Sequence, residues 1–184
     1  MKIDIINDMD KNRIFKSGKY VVGDLCYILN ETDEAQKRWR EMLEYKIAND
    51  WDFIGEIATT KGKYPYALLG TLYGDGSYPL YVNDEYIKHL SVDAGMIGCI
   101  PIDIFEDEDL KNIFKPVTDE NDWLVAIVDF KDDFKIDTIE KKMDVKDILG
   151  PDEFIRYEDY PEDFNKMLDT KIIYFGNKTV VYTT

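Results

Sequence analysis

Cys26, Cys99 and the single histidine, His89, are the residues through which nucleophilic or imidazole-dependent chemistry would have to run in this 184-residue chain. A catalytic cysteine needs a base within reach. No basic cluster adjoins either thiol to lower its pKa, and Cys99 falls in an apolar run, so both are expected to be reduced and neither catalytic. One histidine removes every His-rich zinc site. The acid runs Glu106-Asp107-Glu108-Asp109 and Asp129…Asp132-Asp133 lack the EF-hand spacing and read as solvated faces. There is no GxSxG elbow, no P-loop and no strand–GxGxxG–helix unit. The expectation is a protein that is not an enzyme and needs neither cofactor nor metal. A metal-dependent hydrolase built on Asp24 and Asp93 is a third reading.

Three segments have residue types suited to binding. In Ser17-Gly18-Lys19-Tyr20-Val21-Val22-Gly23-Asp24-Leu25-Cys26-Tyr27 a strand delivers Asp24, Cys26 and Tyr27 into a glycine-led bend. That arrangement suits an acceptor carboxylate beside an aromatic platform. It equally suits a structural turn in which Asp24 bonds neighbouring amides and Cys26 is a small buried hydrophobe. Val92-Asp93-Ala94-Gly95-Met96-Ile97-Gly98 places two glycines three apart beside Asp93, as a close backbone approach or a tightly packed strand would require. Thr59-Thr60-Lys61-Gly62-Lys63-Tyr64 brings together two hydroxyls, two lysines and an aromatic, a set that could hold a phosphate or be a plain inter-strand loop.

Charge narrows the partners. The chain has 23 Lys and Arg against 38 Asp and Glu, a net of −15. Residues 1–92 carry 12 and 15 of these, residues 93–184 carry 11 and 23, so the excess lies in the second half. Such a field repels phosphate backbones at long range and argues against duplex nucleic-acid binding. It permits a solubilising surface, a nucleic-acid mimic that occupies a basic partner, or a local basic pocket for a small anion, because salt screens charge beyond about 8–10 Å.

The elements that must position these residues are mostly strands. Single-domain organisation over 1–184 is expected, since no linker or repeat divides the chain. Lys19–Val22 ends at Gly23-Asp24. Tyr64–Tyr73 and Ser77–Val82 flank Gly74-Asp75-Gly76 and read as a hairpin. Tyr86–Val92 and Met96–Ile104 are two further strands. Trp123–Phe130 and Asp133–Ile139 read as another hairpin, and Ile172–Phe175 with Lys178–Thr183 as a third, its two-residue turn at Gly176-Asn177. That last hairpin is too apolar to hang free and is expected to join the main sheet. Thr32–Lys46 is the main helix, with Thr32 as N-cap and Ala35, Trp39, Met42 and Leu43 on one face. Shorter helices are expected over Glu108–Phe114, Asp144–Leu149 and Pro161–Leu168. The fold class is α+β: a mostly antiparallel, curved or barrel-like sheet with one main helix over about 32–46 and short C-terminal helices. Neither a signal peptide nor a membrane span is expected, which points to the cytoplasm.

The pair Gly23-Asp24-Leu25-Cys26-Tyr27 and Val92-Asp93-Ala94-Gly95-Met96-Ile97-Gly98, with Tyr73-Gly74-Asp75-Gly76-Ser77-Tyr78-Pro79 between them, resembles a loose group of uncharacterised phage and bacterial proteins. Members carry a GD-x-C-Y-like turn early, usually with proline where this chain has Leu25, and a VDAG-x-x-G-like turn mid-chain. The resemblance covers residues 17–104. Its phage setting implies a role in host defence or counter-defence, including non-enzymatic sponges that sequester cyclic-nucleotide signals, and so the host cytoplasm.

The leading expectation is therefore a non-enzymatic, phage-type binding protein that sequesters a small anionic nucleotide. Tyr27 and Tyr64 would stack on the base, Lys61 and Lys63 would hold phosphate, and Asp24 or Asp93 would contact base edge or ribose. The alternative is an acidic protein-binding module, a mimic or immunity-type inhibitor, that meets a basic protein partner through residues 103–169. Either could act as an oligomer.

Overall fold

The computed structural model describes residues 4–6, 12–48, 52–148 and 166–183. The chain runs β1 (Asp4–Ile6), β2 (Gly18–Gly23), α1 (Asp33–Ala48), β3 (Asp52–Ala58), β4 (Lys63–Gly70), β5 (Gly76–Val82), β6 (Glu85–Val92), β7 (Met96–Pro101), β8 (Val125–Phe130), β9 (Ile136–Asp144), β10 (Met167–Phe175) and β11 (Thr179–Thr183). Short 3-10 turns lie at Leu25–Ile28, Ile102–Glu106 and Val145–Asp147.

The strands form two antiparallel sheets, ordered β1-β3-β4-β7-β2-β8 and β6-β5-β11-β10-β9. Both are open, so the architecture is α+β without a closed barrel. Side-chain alternation explains the layering. Tyr20, Val22, Ala67, Leu69, Ile97 and Cys99 of the larger sheet face Tyr78, Leu80, Leu90, Ile173 and Val181 of the smaller one. The intervening residues Val21, Tyr66, Leu68 and Ile100 point the other way, onto α1 and the 3-10 turns. The larger sheet is thus covered on both faces, and β7 is buried along its whole length. Lys171 on β10 ties the sheets across the core with a 2.6 Å ion pair to Asp52 on β3.

The helix forms as its sequence requires. The Thr32 hydroxyl accepts from the Ala35 amide at 3.1 Å, Asp33 and Glu34 occupy the first turn, and Ala35, Trp39 and Met42 are buried. The C-terminal hairpin sits inside the smaller sheet, β11 pairing β5 and β10 pairing β9. Its turn spans three residues, 176–178, because Phe175 pairs with Thr179; Gly176 has φ +68.

Two expected hairpins are crossovers instead. β4 lies in the larger sheet and β5 in the smaller, so Gly74-Asp75-Gly76 does not fold one strand onto the other. Thr71 donates to Gly74 O, Leu72 N donates to the Thr183 hydroxyl, and the chain climbs between sheets. β8 and β9 are likewise split; the link after β8 is held by stacking of Phe134 on Phe130 and Phe15. The hairpin that does occur there, β5–β6, turns on Asn83 and Asp84, both with positive φ. Met96–Ile104 is a strand only to Pro101 and then a 3-10 turn. Glu108–Phe114 makes isolated turns, because Phe114 bridges Leu29 and the Ile113 carbonyl accepts from Asn30 N. Val145–Asp147 is the turn expected over 144–149, of which Leu149 lies outside the described residues. Of the helix expected over 161–168, residues 161–165 also lie outside them, and Met167 and Leu168 begin β10.

Candidate functional site

The two distinctive sequence segments meet. Asp24, at the end of β2, is fully buried. Its Oδ1 accepts from the Cys26 amide at 3.0 Å, and its Oδ2 accepts from the Asp93 and Ala94 amides at 2.9 and 2.7 Å. Three backbone donors therefore spend the carboxylate on holding the 93–95 crossover against β2. Tyr27 is half-buried, and burial, then the exposed Asp93 carboxylate near it, push its pKa above the ordinary phenol value. The second crossover packs alongside, with Gly95 beside Gly74, and Thr71 N donates to Gly95 O at 3.0 Å. The three motifs that define the resemblance thus build one corner where the chain twice changes sheets.

The surroundings of Cys26 oppose thiolate chemistry. Burial, then the Asp24 carboxylate beside it, pushes its pKa well above the ordinary thiol value. Burial does the same to Cys99. A thiol reagent at neutral pH is expected to label both in unfolded protein but neither quickly in native protein. Cys26→Ala should leave any ligand binding within a few-fold. Rapid native labelling of Cys26, with loss of function in Cys26→Ala, would restore the nucleophile.

Lys61, Lys63 and Tyr64 lie at the other end of β4 from this corner. The eight-residue strand separates the two groups by roughly 23 Å, so the six expected ligand residues do not form one site. The 59–64 loop does hold anions, but they are the chain's own. Asp107 accepts from the Thr59 hydroxyl at 2.6 Å, the Tyr64 hydroxyl at 2.8 Å and the Asp109 amide at 2.9 Å. Asp109 accepts from the Thr60 amide and hydroxyl. Burial alone would raise the Asp107 pKa; its hydrogen bonds outweigh that and hold it below the usual carboxylate value. Burial and the bond to Asp107 push Tyr64 up to about 12. Lys61 Nζ reaches the Glu106 carbonyl at 3.4 Å.

Lys63 and Tyr64 belong instead to a cavity of about 430 Å³ that composition did not reveal. Arg13, Lys16, Lys19 and Lys63 line it against two carboxylates, Glu56 and Asp103. Glu56 lies between Arg13 at 2.5 Å and Lys63 at 3.4 Å, and Lys16 pairs with Asp133 at 2.8 Å. Lys19 has no ion-pair partner among the described residues, and Arg13 Nε is buried without a hydrogen-bond partner among them. Among the described residues, then, four basic side chains line the cavity against two carboxylates, in a chain whose net charge is −15. A larger cavity of about 730 Å³ near the C-terminal hairpin turn mixes three lysines with four aspartates and selects neither sign. The signal for the basic cavity was the clustering of Arg13, Lys16 and Lys19 in seven residues, which meets Lys63 only once β2 and β4 pair on either side of β7.

No protein-family model, curated protein or solved structure matches the chain. No described helix is long and apolar enough to cross a membrane.

Proposed function

We propose that the chain is a non-enzymatic binding protein that holds a small anionic ligand of the nucleotide class in the cavity between Arg13, Lys19 and Lys63. The observation that carries this is the sign of the cavity wall. Four basic residues border it among the described residues, in a chain that carries a net charge of −15. Its volume lies within the range of small-molecule sites. Sequestering a nucleotide signal of host defence is the role that the resemblance to phage proteins supplies.

The broad anionic face over 103–169 has less support. Asp107, Asp109 and Asp133 are engaged by the protein's own donors, and residues 149–165 lie outside the described residues. Asp107 in particular is buried, so Asp107→Asn is a core change and not a surface one.

Thermal-shift measurement against nucleotides that include cyclic di- and trinucleotides tests the proposal. A ligand at 100 times its Kd stabilises the folded state by about 2.7 kcal/mol. Lys19→Ala with Lys63→Ala is expected to weaken the binding about tenfold to a hundredfold, as loss of charge-assisted contacts does. Lys61→Ala, outside the cavity, should bind as the parent does. Absence of any shift across the panel, or a double variant that binds like the parent, would overturn it.

A further inference from the structure

β8 is an edge strand, paired on one side with β2 and with no described strand on the other. The direction of its free backbone groups follows from Val125. That residue's amide donates to Asn121 O and its carbonyl accepts from Lys88 Nζ at 3.2 Å, so both face away from β2. Antiparallel alternation then turns the N–H and C=O groups of Ile127 and Asp129 to the same open side. The strand carries no proline, and its register against β2 is unbroken, so among the described residues neither a proline nor a bulge blocks the edge.

Two large apolar side chains are exposed on and just before this strand: Trp123 is 62% exposed and Ile127 is 47% exposed. Lys88 of β6 donates to the Asp122 carbonyl as well as to Val125, which fastens the smaller sheet beside the start of β8. The Trp123 indole N–H donates to Glu120 O at 3.1 Å, which fixes the ring before any partner arrives. Carboxylates border the patch: Asp119, Glu120, Asp122 and Asp129 are all exposed. Asp129 pairs with Lys131, and Asp122 lies 3.9 Å from Lys88. Asp119 and Glu120 have no cation partner among the described residues.

We infer that the β8 edge, with Trp123 and Ile127 beside it, is a docking surface for an extended, basic segment of a partner protein. The segment adds as a strand to the free amides and carbonyls of Ile127 and Asp129, its apolar side chains cover Trp123 and Ile127, and its cations meet the bordering carboxylates. Charge complementarity selects this occupant. A second copy paired through the same edge would bring two such acidic borders together, each on a chain of net −15. The surface is separate from the anion cavity and does not depend on it.

The test uses the full chain and a labelled peptide of alternating Lys and Val, with a Glu–Val peptide as control, followed by fluorescence anisotropy and amide hydrogen exchange. The Lys–Val peptide is expected to bind, to shift Trp123 fluorescence and to protect the Ile127 and Asp129 amides; the Glu–Val peptide should not bind. Trp123→Ala should weaken the complex about tenfold or more, as loss of a central aromatic anchor does. Ile127→Pro removes an outward N–H without touching the β2 ladder and should abolish binding. No binding, binding unchanged in both variants, or protection elsewhere on the chain would overturn the inference. So would a dimer of the parent chain in sedimentation that Ile127→Pro dissolves, since the edge would then belong to a second copy.

Discussion

Asp24→Ala is expected to destabilise the protein by about 3–5 kcal/mol, at the far end of what single substitutions do. The carboxylate is inaccessible to solvent and satisfies the amides of Cys26, Asp93 and Ala94. Truncation strands three part-buried N–H donors that this one carboxylate satisfies. It also releases the 93–95 crossover from β2, and with it the packing of Gly95 on Gly74. Asn keeps the shape but presents an NH₂ group to amides that need an acceptor, so Asp24→Asn should cost about 2–3 kcal/mol. Urea unfolding followed by tryptophan fluorescence measures both. A loss below about 1 kcal/mol in Asp24→Ala would mean that the carboxylate does not hold this corner. The same pair of variants separates structure from binding. Asp24 lies toward the opposite end of β4 from the basic cavity, so if the proposed nucleotide binding there holds, Asp24→Asn protein that remains folded should bind as the parent does.

The sequence made individual elements legible and their assembly much less so. α1 was readable because Thr32, Asp33, Glu34 and the spacing of Ala35, Trp39 and Met42 all state the same thing locally. The C-terminal hairpin was readable for a similar reason, with apolar strands on either side of Gly176. The two false hairpins failed for a reason that no local signal contains. A glycine-rich turn fits a reversal and a sheet-to-sheet crossover equally well. What distinguishes them is where β4 and β5 find partners: β7 for one, β11 for the other, each far along the chain. The true β5–β6 turn was missed because Asn83 and Asp84 adopt positive φ without a glycine to advertise it.

The candidate site shows the same division. Asp24, Tyr27 and Asp93 were singled out as chemically distinctive, and they do meet, but as a joint whose carboxylate is used up by backbone amides. Lys61 and Lys63 look equivalent in sequence. Strand alternation sends Lys63 to the Glu56 side of the sheet and into the basic cavity, while Lys61 stays on the loop against Glu106. Arg13 and Lys19 were hidden because a cation in a chain of 38 acids reads as one more surface charge until its neighbours are known.

Gly98→Ala is expected to cost about 3 kcal/mol, the upper range for overfilling a packed interior. A Cβ at this position would lie 2.3 Å from Leu25 Cγ and 2.6 Å from its Cδ1. Neither side can yield. Leu25 is fully buried among the residues beneath α1, and Gly98 is paired on one edge with Gly23 and on the other with Leu68. Its backbone is ordinary extended strand, so the cost is one of space alone. Gly23 differs: it combines φ +147 with a Cβ position 2.8 Å from Val125 Cγ1, and both conformation and space exclude a side chain there. The explanation predicts a coupling. Leu25→Ala alone opens a cavity and should cost about 2–4 kcal/mol. In the double variant Gly98→Ala with Leu25→Ala, the new methyl group enters the space that the leucine has left. Its total cost should therefore fall short of the sum of the single changes by about 1–2 kcal/mol, a size that a double-mutant cycle from urea unfolding resolves. Strict additivity would show that Gly98 is small for some reason other than Leu25.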